Sequence, residues 1–234
     1  MQQVTNRRLR ECRLLISKVR AVLKLHYYPS NASMAPHLLL EELGAPHELV
    51  LVDRTQSAHK SPAYLALNPN GLIPVFIDGD LVLYETAAIC LHLVDTHAEA
   101  GLAPPVGTRE RAHFYKWLMW LTNTLQATKI VYFYPERWTD VPAAAEQVKD
   151  HAEAKIDAMF DQLDAELART GGPWFSGASY SALDPYVMML ARWSRGFKRP
   201  ARTLPHLGPY LQRVLARPAT QRVFEREELA QPFV

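Results

Sequence analysis

The chain has 234 residues, enough for one large or two small domains with real cores, and its 48% hydrophobic and 21% charged residues are ordinary for a folded protein. Its apolar stretches are too short to span a membrane, and two cysteines, Cys12 and Cys90, exclude a disulfide framework or a cysteine-rich metal site. The net charge of +2 hides an asymmetry: residues 1–22 hold Arg7, Arg8, Arg10, Arg13, Lys18 and Arg20 against Glu11 alone, so the remainder is net acidic and a basic nucleic-acid-binding body is excluded.

The basic stretch 1–22 reads as a poorly ordered extension. Its apolar run Leu14-Leu15-Ile16 is too short for a secretory signal, and the cysteine usage fits a reducing, cytoplasmic compartment. Regular punctuation starts at Leu23. Leu23 to Tyr28 alternates as a strand and stops at Pro29-Ser30-Asn31. Ser33 is placed as an N-cap, Leu38 to Leu43 supply an apolar face, and Gly44 closes the helix. Glu48 to Val52 makes a second strand.

A short helix around Pro62 leads to the turn Asn68-Pro69-Asn70-Gly71. Strands at Val75–Ile77 and Leu81–Tyr84 flank Asp78-Gly79, a tight-hairpin signal. Glu85-Thr86 then opens a helix to about His97. The order βαβ-ββα is that of a thioredoxin-like domain over residues 23–98. Residues 99–107 form a Pro/Gly-rich linker. Residues 108–234 contain no convincing strand, and apolar spacing predicts helices over 108–134, 143–169, 182–195 and 206–216. The fold class is therefore α/β plus all-α. Ser181-Ala182-Leu183-Asp184, just before an apolar run, reads as a structural capping box with Asp in the place of Glu.

Other chemistry finds no signature. There is no HExxH or H-x-x-x-H, no P-loop, no GxGxxG and no G-x-S-x-G, so neither a metal nor a bound cofactor is indicated. Cys90, between Ile89 and Leu91, reads as inert core.

Four segments in order, Tyr27 to His37, Asn68 to Val75, Glu85-Thr86 and Ser181 to Asp184, resemble the glutathione transferase superfamily, over roughly Val22 to the C-terminus. The opening segment and the Pro218 region look closest to bacterial beta-type members. Those usually carry a cysteine where this chain has Ala32, and a His-Lys pair where Gln126-Ala127 stand. A mixed disulfide with glutathione at position 32 is thereby excluded.

The resemblance implies a thioredoxin-like glutathione-binding domain, an all-helical domain shaping the second pocket, and a homodimer. Such a site must ionise a thiol. Lowering its pKa from about 8.5 by about two units takes roughly 2.7 kcal/mol. A helix N-terminus gives roughly 0.3–1 kcal/mol and a hydrogen bond to a charged group about 1.5–3 kcal/mol, so a hydroxyl donor is the larger contribution. Ser33 is the best-placed catalytic donor, with Tyr27, Tyr28 and Ser30 as rivals; its other role is a plain N-cap. Ile73-Pro74 resembles the superfamily's cis-proline turn, which aligns backbone with glutathione's cysteinyl unit. Glu85 and Thr86 match the site for the γ-glutamyl group, at a helix start suited to a carboxylate. His59 and Lys60 resemble positions that meet the glycyl carboxylate, although a solvated loop would use the same cations. Tyr28 and Asn31 are placed at the second-substrate pocket; Trp117, Trp120, Tyr132 and Phe133 are further candidates to line it, although aromatics at helical spacing are more often core.

The function these residues imply is conjugation of glutathione, as co-substrate, to a small hydrophobic electrophile in a detoxifying, cytoplasmic homodimer. No membrane or nucleic-acid partner is expected. The alternative is a non-catalytic glutathione-fold protein that binds or regulates a partner, or stores a ligand.

Overall fold

The computed structural model describes residues 22–234; the basic extension, apart from Val22, and Cys12 lie outside the described residues. The first half follows the expected order. Strand β1 (Leu23–Tyr27), helix α1 (Met34–Leu43), β2 (His47–Leu51), α2 (Pro62–Leu65), β3 (Val75–Asp78), β4 (Leu81–Tyr84) and α3 (Thr86–Thr96) build a four-stranded sheet in the order β2-β1-β3-β4. β1 runs parallel to β2 and antiparallel to β3, with His26 opposite Val75, and β3 is antiparallel to β4, with Val75 opposite Tyr84. The central β1 buries Leu23 and Leu25, and α1 buries Met34 to Leu40. Gly44 ends α1 in the left-handed region, at φ 59°, where its N–H reaches the Leu40 and Glu41 carbonyls.

The second half is helical. It comprises α4 (Arg109–Trp120), α5 (Ala127–Phe133), α6 (Ala145–Thr170), α7 (Leu183–Arg192), α8 (Leu207–Leu215) and α9 (Pro218–Arg226). The helix expected over 108–134 is interrupted by π-helical Leu121–Gln126, a wider turn that apolar spacing does not register. α7 ends at Arg192 rather than at 195, and α9 was not expected from the sequence. Every residue of α7 is buried, so this helix is the axis of the second half.

One continuous core joins the two halves: Leu25, Leu38 and Leu39 belong with Tyr186, Leu211 and Val234. α1 packs against both α7 and α9. A second, smaller core under the sheet's other part gathers Val52, Tyr64, Ile73 and Val75, with Tyr28 and Tyr84 packed on it. That cluster fixes three loop ends relative to one another: the end of β1, the turn before β3 and the end of β4.

Candidate active site

The turn between β1 and α1 is closed by Ser33. The Tyr28 N–H donates to Ser33 Oγ at 3.3 Å and Ser33 Oγ donates to the Tyr28 carbonyl at 3.2 Å. Ser33 occupies the N-cap position of α1 but makes no side-chain cap bond, and it is fully buried. The capping role expected for its hydroxyl is thus corrected: the residue has helical dihedrals, φ −65° and ψ −17°, and its oxygen turns back to the strand. Asn31, half-buried, accepts the Ala32 N–H on Oδ1 at 2.7 Å, and its own N–H reaches the Tyr28 carbonyl.

The start of α3 faces this turn. Thr86 is buried and its Oγ1 donates to the Ala32 carbonyl at 3.3 Å, so two helix N-termini are tied together. Glu85, exposed, holds φ 73° and ψ 112° at the N-cap without a side-chain cap bond. A non-glycine residue there is strained, and the first N–H groups of α3 have no side-chain acceptor. Ile73–Pro74 is cis and sits over the small core, two residues after Gly71.

Gly71 is needed for space as well as for its φ of 58°: a Cβ there would meet the His59 carbonyl at 2.9 Å and Lys60 Nζ at 2.8 Å. Lys60 Nζ donates to the Gly71 carbonyl at 3.3 Å, which pins the 58–60 turn against the loop before Pro74. His59 keeps Nδ1 buried without a hydrogen-bond partner among the described residues, and burial pushes its pKa down, helped by Lys60 and Arg54. Arg54 and Lys60 make a cationic corner beside the turn before β3, with His59 between them biased toward its neutral form.

Between the two halves, Arg54 lies over the Tyr28 ring at 5.9 Å and donates to Tyr134 Oη at 2.8 Å. Of the helical aromatics left between pocket and core, Phe133 is 43% exposed, beside Trp193. Trp117 is core, 6% exposed with Nε1 donating to Glu166. Arg54 thus links Tyr28 of the first half to Tyr134 of the second.

Sequence reasoning missed the groups that hold Ser30. Its N–H donates to Glu227 Oε2 at 2.8 Å, its Oγ accepts from Arg192 Nε at 3.3 Å, and its carbonyl accepts from Trp193 Nε1 at 2.9 Å. No short-range pattern marks residues so distant in the chain. Among the described residues His37, Glu41 and His47 bring ligand atoms within 4.8 Å of one another. Arg226 already donates to Glu41 at 2.5 Å and lies 3.1 Å from His47 Nε2, so the protein's own guanidinium takes that place.

A four-stranded thioredoxin-like sheet with a cis-proline loop, joined to a helical domain, defines the glutathione transferase class. The family models for glutathione S-transferase match as an N-terminal domain over residues 21–95 and a C-terminal domain over residues 121–218. Glutathione S-transferase GstB of Escherichia coli is 34% identical over 194 residues, which cover 80% of this chain and 89% of that protein. A glutathione transferase from Methylococcus capsulatus is 33% identical, covers 89% of this chain and all of its own, and superposes with a TM-score of 0.76. A glutathione transferase homologue from Sulfitobacter, solved with bound glutathione, reaches a TM-score of 0.82 at 25% identity over 89% of this chain and 99% of its own. The chain belongs to the glutathione S-transferase family and is a glutathione transferase. No helix among the described residues is long and apolar enough to cross a membrane.

Proposed function

We propose that this transferase binds glutathione along the Ile73–Pro74 loop and the start of α3, ionises its thiol at the N-terminus of α1, and directs the thiolate at a hydrophobic electrophile in the interdomain cleft. The observation that carries the reading is the bond from Thr86 Oγ1 to the Ala32 carbonyl. It sets two helix N-termini side by side, one suited to the γ-glutamyl carboxylate and one to the thiolate. Glu85 would pair with the ammonium, and His59 and Lys60 with the glycyl carboxylate. Tyr28 and Asn31, with Phe133 and Tyr134, would meet the electrophile. A detoxifying, cytoplasmic homodimer is part of the same proposal, with glutathione as co-substrate and no metal or other cofactor.

Ser33 is the proposed thiol donor, and to reach the sulfur its proton must leave the Tyr28 carbonyl. Its complete burial favours a second candidate. Ser30 Oγ accepts from Arg192, so its own proton is free for another acceptor. The ultraviolet absorbance of bound thiolate against pH tests both. If Ser33 is the donor, Ser33→Ala raises the thiol pKa by about one to two units, as expected for loss of a charge-assisted bond of about 1.5–3 kcal/mol. The same rise in Ser30→Ala, with Ser33→Ala unchanged, moves the role to Ser30. A normal thiol pKa in the parent enzyme, despite glutathione binding, overturns thiolate activation.

A further inference from the structure

Ser30 is a non-glycine residue at φ 59°, in a turn that the folded chain must hold against its own preference. The turn is closed locally by the Asn31 N–H on the Tyr28 carbonyl, but Ser30's own polar groups are met from the far end of the sequence. Glu227, Arg192 and Trp193 take up its N–H, hydroxyl and carbonyl in turn, and none of its polar groups relies on a neighbour within the turn. Glu227 and Arg192 are each 2% exposed. The second Glu227 oxygen meets His37 Nδ1 at 2.8 Å, in the middle of α1. Arg192 Nη1 donates at 2.6 Å to the Phe233 carbonyl, so the last residues of the chain hold the guanidinium in turn.

We propose that Glu227 is a positioning residue: through Ser30 and His37 it sets the β1–α1 turn, and hence the hydroxyl that faces glutathione's sulfur, with Arg192 and Trp193 as its partners. This rests on the thiolate reading above for its effect on catalysis, but not for its effect on the turn. The chemistry favours a carboxylate at this point. A carboxylate serves both at once, one oxygen for the Ser30 amide and one for the His37 ring, and Arg192 lowers the cost of burying its charge. Arg192 donating to Ser30 Oγ also leaves the hydroxyl proton free for another acceptor.

The decisive comparison sets Glu227→Ala and Glu227→Gln against Arg226→Ala. Arg226 lies one residue away, pairs with Glu41 on the surface and loosens the same helix without touching Ser30. Two readouts are taken on the whole enzyme: hydrogen exchange of the amides at residues 28–33, and the thiol pKa of bound glutathione. Glu227→Ala is expected to speed exchange at the turn at least tenfold, to raise the thiol pKa by about one unit and to lower kcat about tenfold, with a smaller change in KM. Glu227→Gln, which keeps an acceptor and a donor, should recover part of each. Arg226→Ala should shift the melting temperature alone. Where Glu227→Ala fails to fold, Trp193→Phe removes the bond to the Ser30 carbonyl, keeps an aromatic ring beside Phe133, and should move both readouts in the same direction by less. Unchanged exchange at the turn in a folded Glu227→Ala or Trp193→Phe, or equal changes in Arg226→Ala, overturns the positioning role. Faster exchange with an already normal thiol pKa in the parent sustains it and overturns thiolate activation instead.

Discussion

Lys129 is the side chain least at ease in its surroundings. It is fully buried on α5, and Nζ finds no hydrogen-bond partner among the described residues. Its contacts are the faces of Phe197 at 4.5 Å and Phe160 at 4.8 Å, which compensate a cation only in part. Burial pushes its pKa down to about 7, with Asp157 opposing, and the Asp157 carboxyl is itself pushed up, chiefly by burial. A base whose folded pKa lies below its unfolded value of about 10.4 binds fewer protons when folded. The cost of burying its charge is therefore complete below about pH 7 and is relieved as pH rises toward the unfolded value. Lys129→Met keeps the length and removes the charge. It should stabilise the protein by about 1–4 kcal/mol at pH 6, as such replacements commonly do. The gain should shrink by pH 9.5. Urea unfolding at the two pH values measures this; a loss of stability at pH 6, or a gain that grows with pH, would show that the amine is neutral or paired throughout.

At the scale of elements, the start of α7 repeats the lesson that a cap is a hydrogen-bond count. The Ser181 and Phe175 N–H groups donate to Asp184 at 2.7 and 2.9 Å, and Tyr210 Oη donates at 2.9 Å. Ser181 Oγ accepts the Leu183 N–H at 3.3 Å, one residue earlier than the box expected from Ser181 to Asp184. Asp184 is fully buried and burial pushes its pKa up to about 6, against donors that favour the carboxylate. Asp184→Asn would place an amide N–H₂ where donors converge. With at least one buried donor orphaned at about 1–3 kcal/mol, a loss of about 2–4 kcal/mol is expected in thermal or denaturant unfolding. A loss below about 1 kcal/mol would mean that water replaces the carboxylate. This cap was legible because it is local, and so were β1 to β4, α1 and α3, each marked by alternation, Gly44 or Asp78-Gly79. α9 was not: of its nine residues only Ala219, Thr220, Val223 and Phe224 are buried, too few for a periodic signal among arginines. The candidate site divides the same way. Ser33, Ile73-Pro74 and Glu85-Thr86 lie in short motifs, whereas Glu227 and Arg192 reach Ser30 across 197 and 162 positions and leave no trace in spacing.

Across the whole molecule, those long contacts argue that the two halves stand or fall together. Glu42 on α1 takes Arg217, just before α9, in a two-pronged pair of 2.5 and 2.7 Å, and Glu41 takes Arg222 and Arg226. Beneath these pairs the core passes from Leu38 to Tyr186 without a break. If α1 left this interface, His37 would leave with it and Glu227 would lose both His37 and the Ser30 amide, a cost of about 3–5 kcal/mol for a broken buried pair. Partial unfolding of the thioredoxin-like half is therefore disfavoured. The sequence supplies its own probe, because all five tryptophans, Trp117, Trp120, Trp138, Trp174 and Trp193, lie in the helical half. Tryptophan fluorescence reports that half, and far-ultraviolet circular dichroism reports α1, α3 and the sheet as well. The two melting curves should coincide within about 2 °C, the behaviour of a single cooperative transition. An earlier transition in dichroism alone would show that the sheet and α1 unfold ahead of the helices, and that the contacts at Ser30 and Glu42 do not couple them.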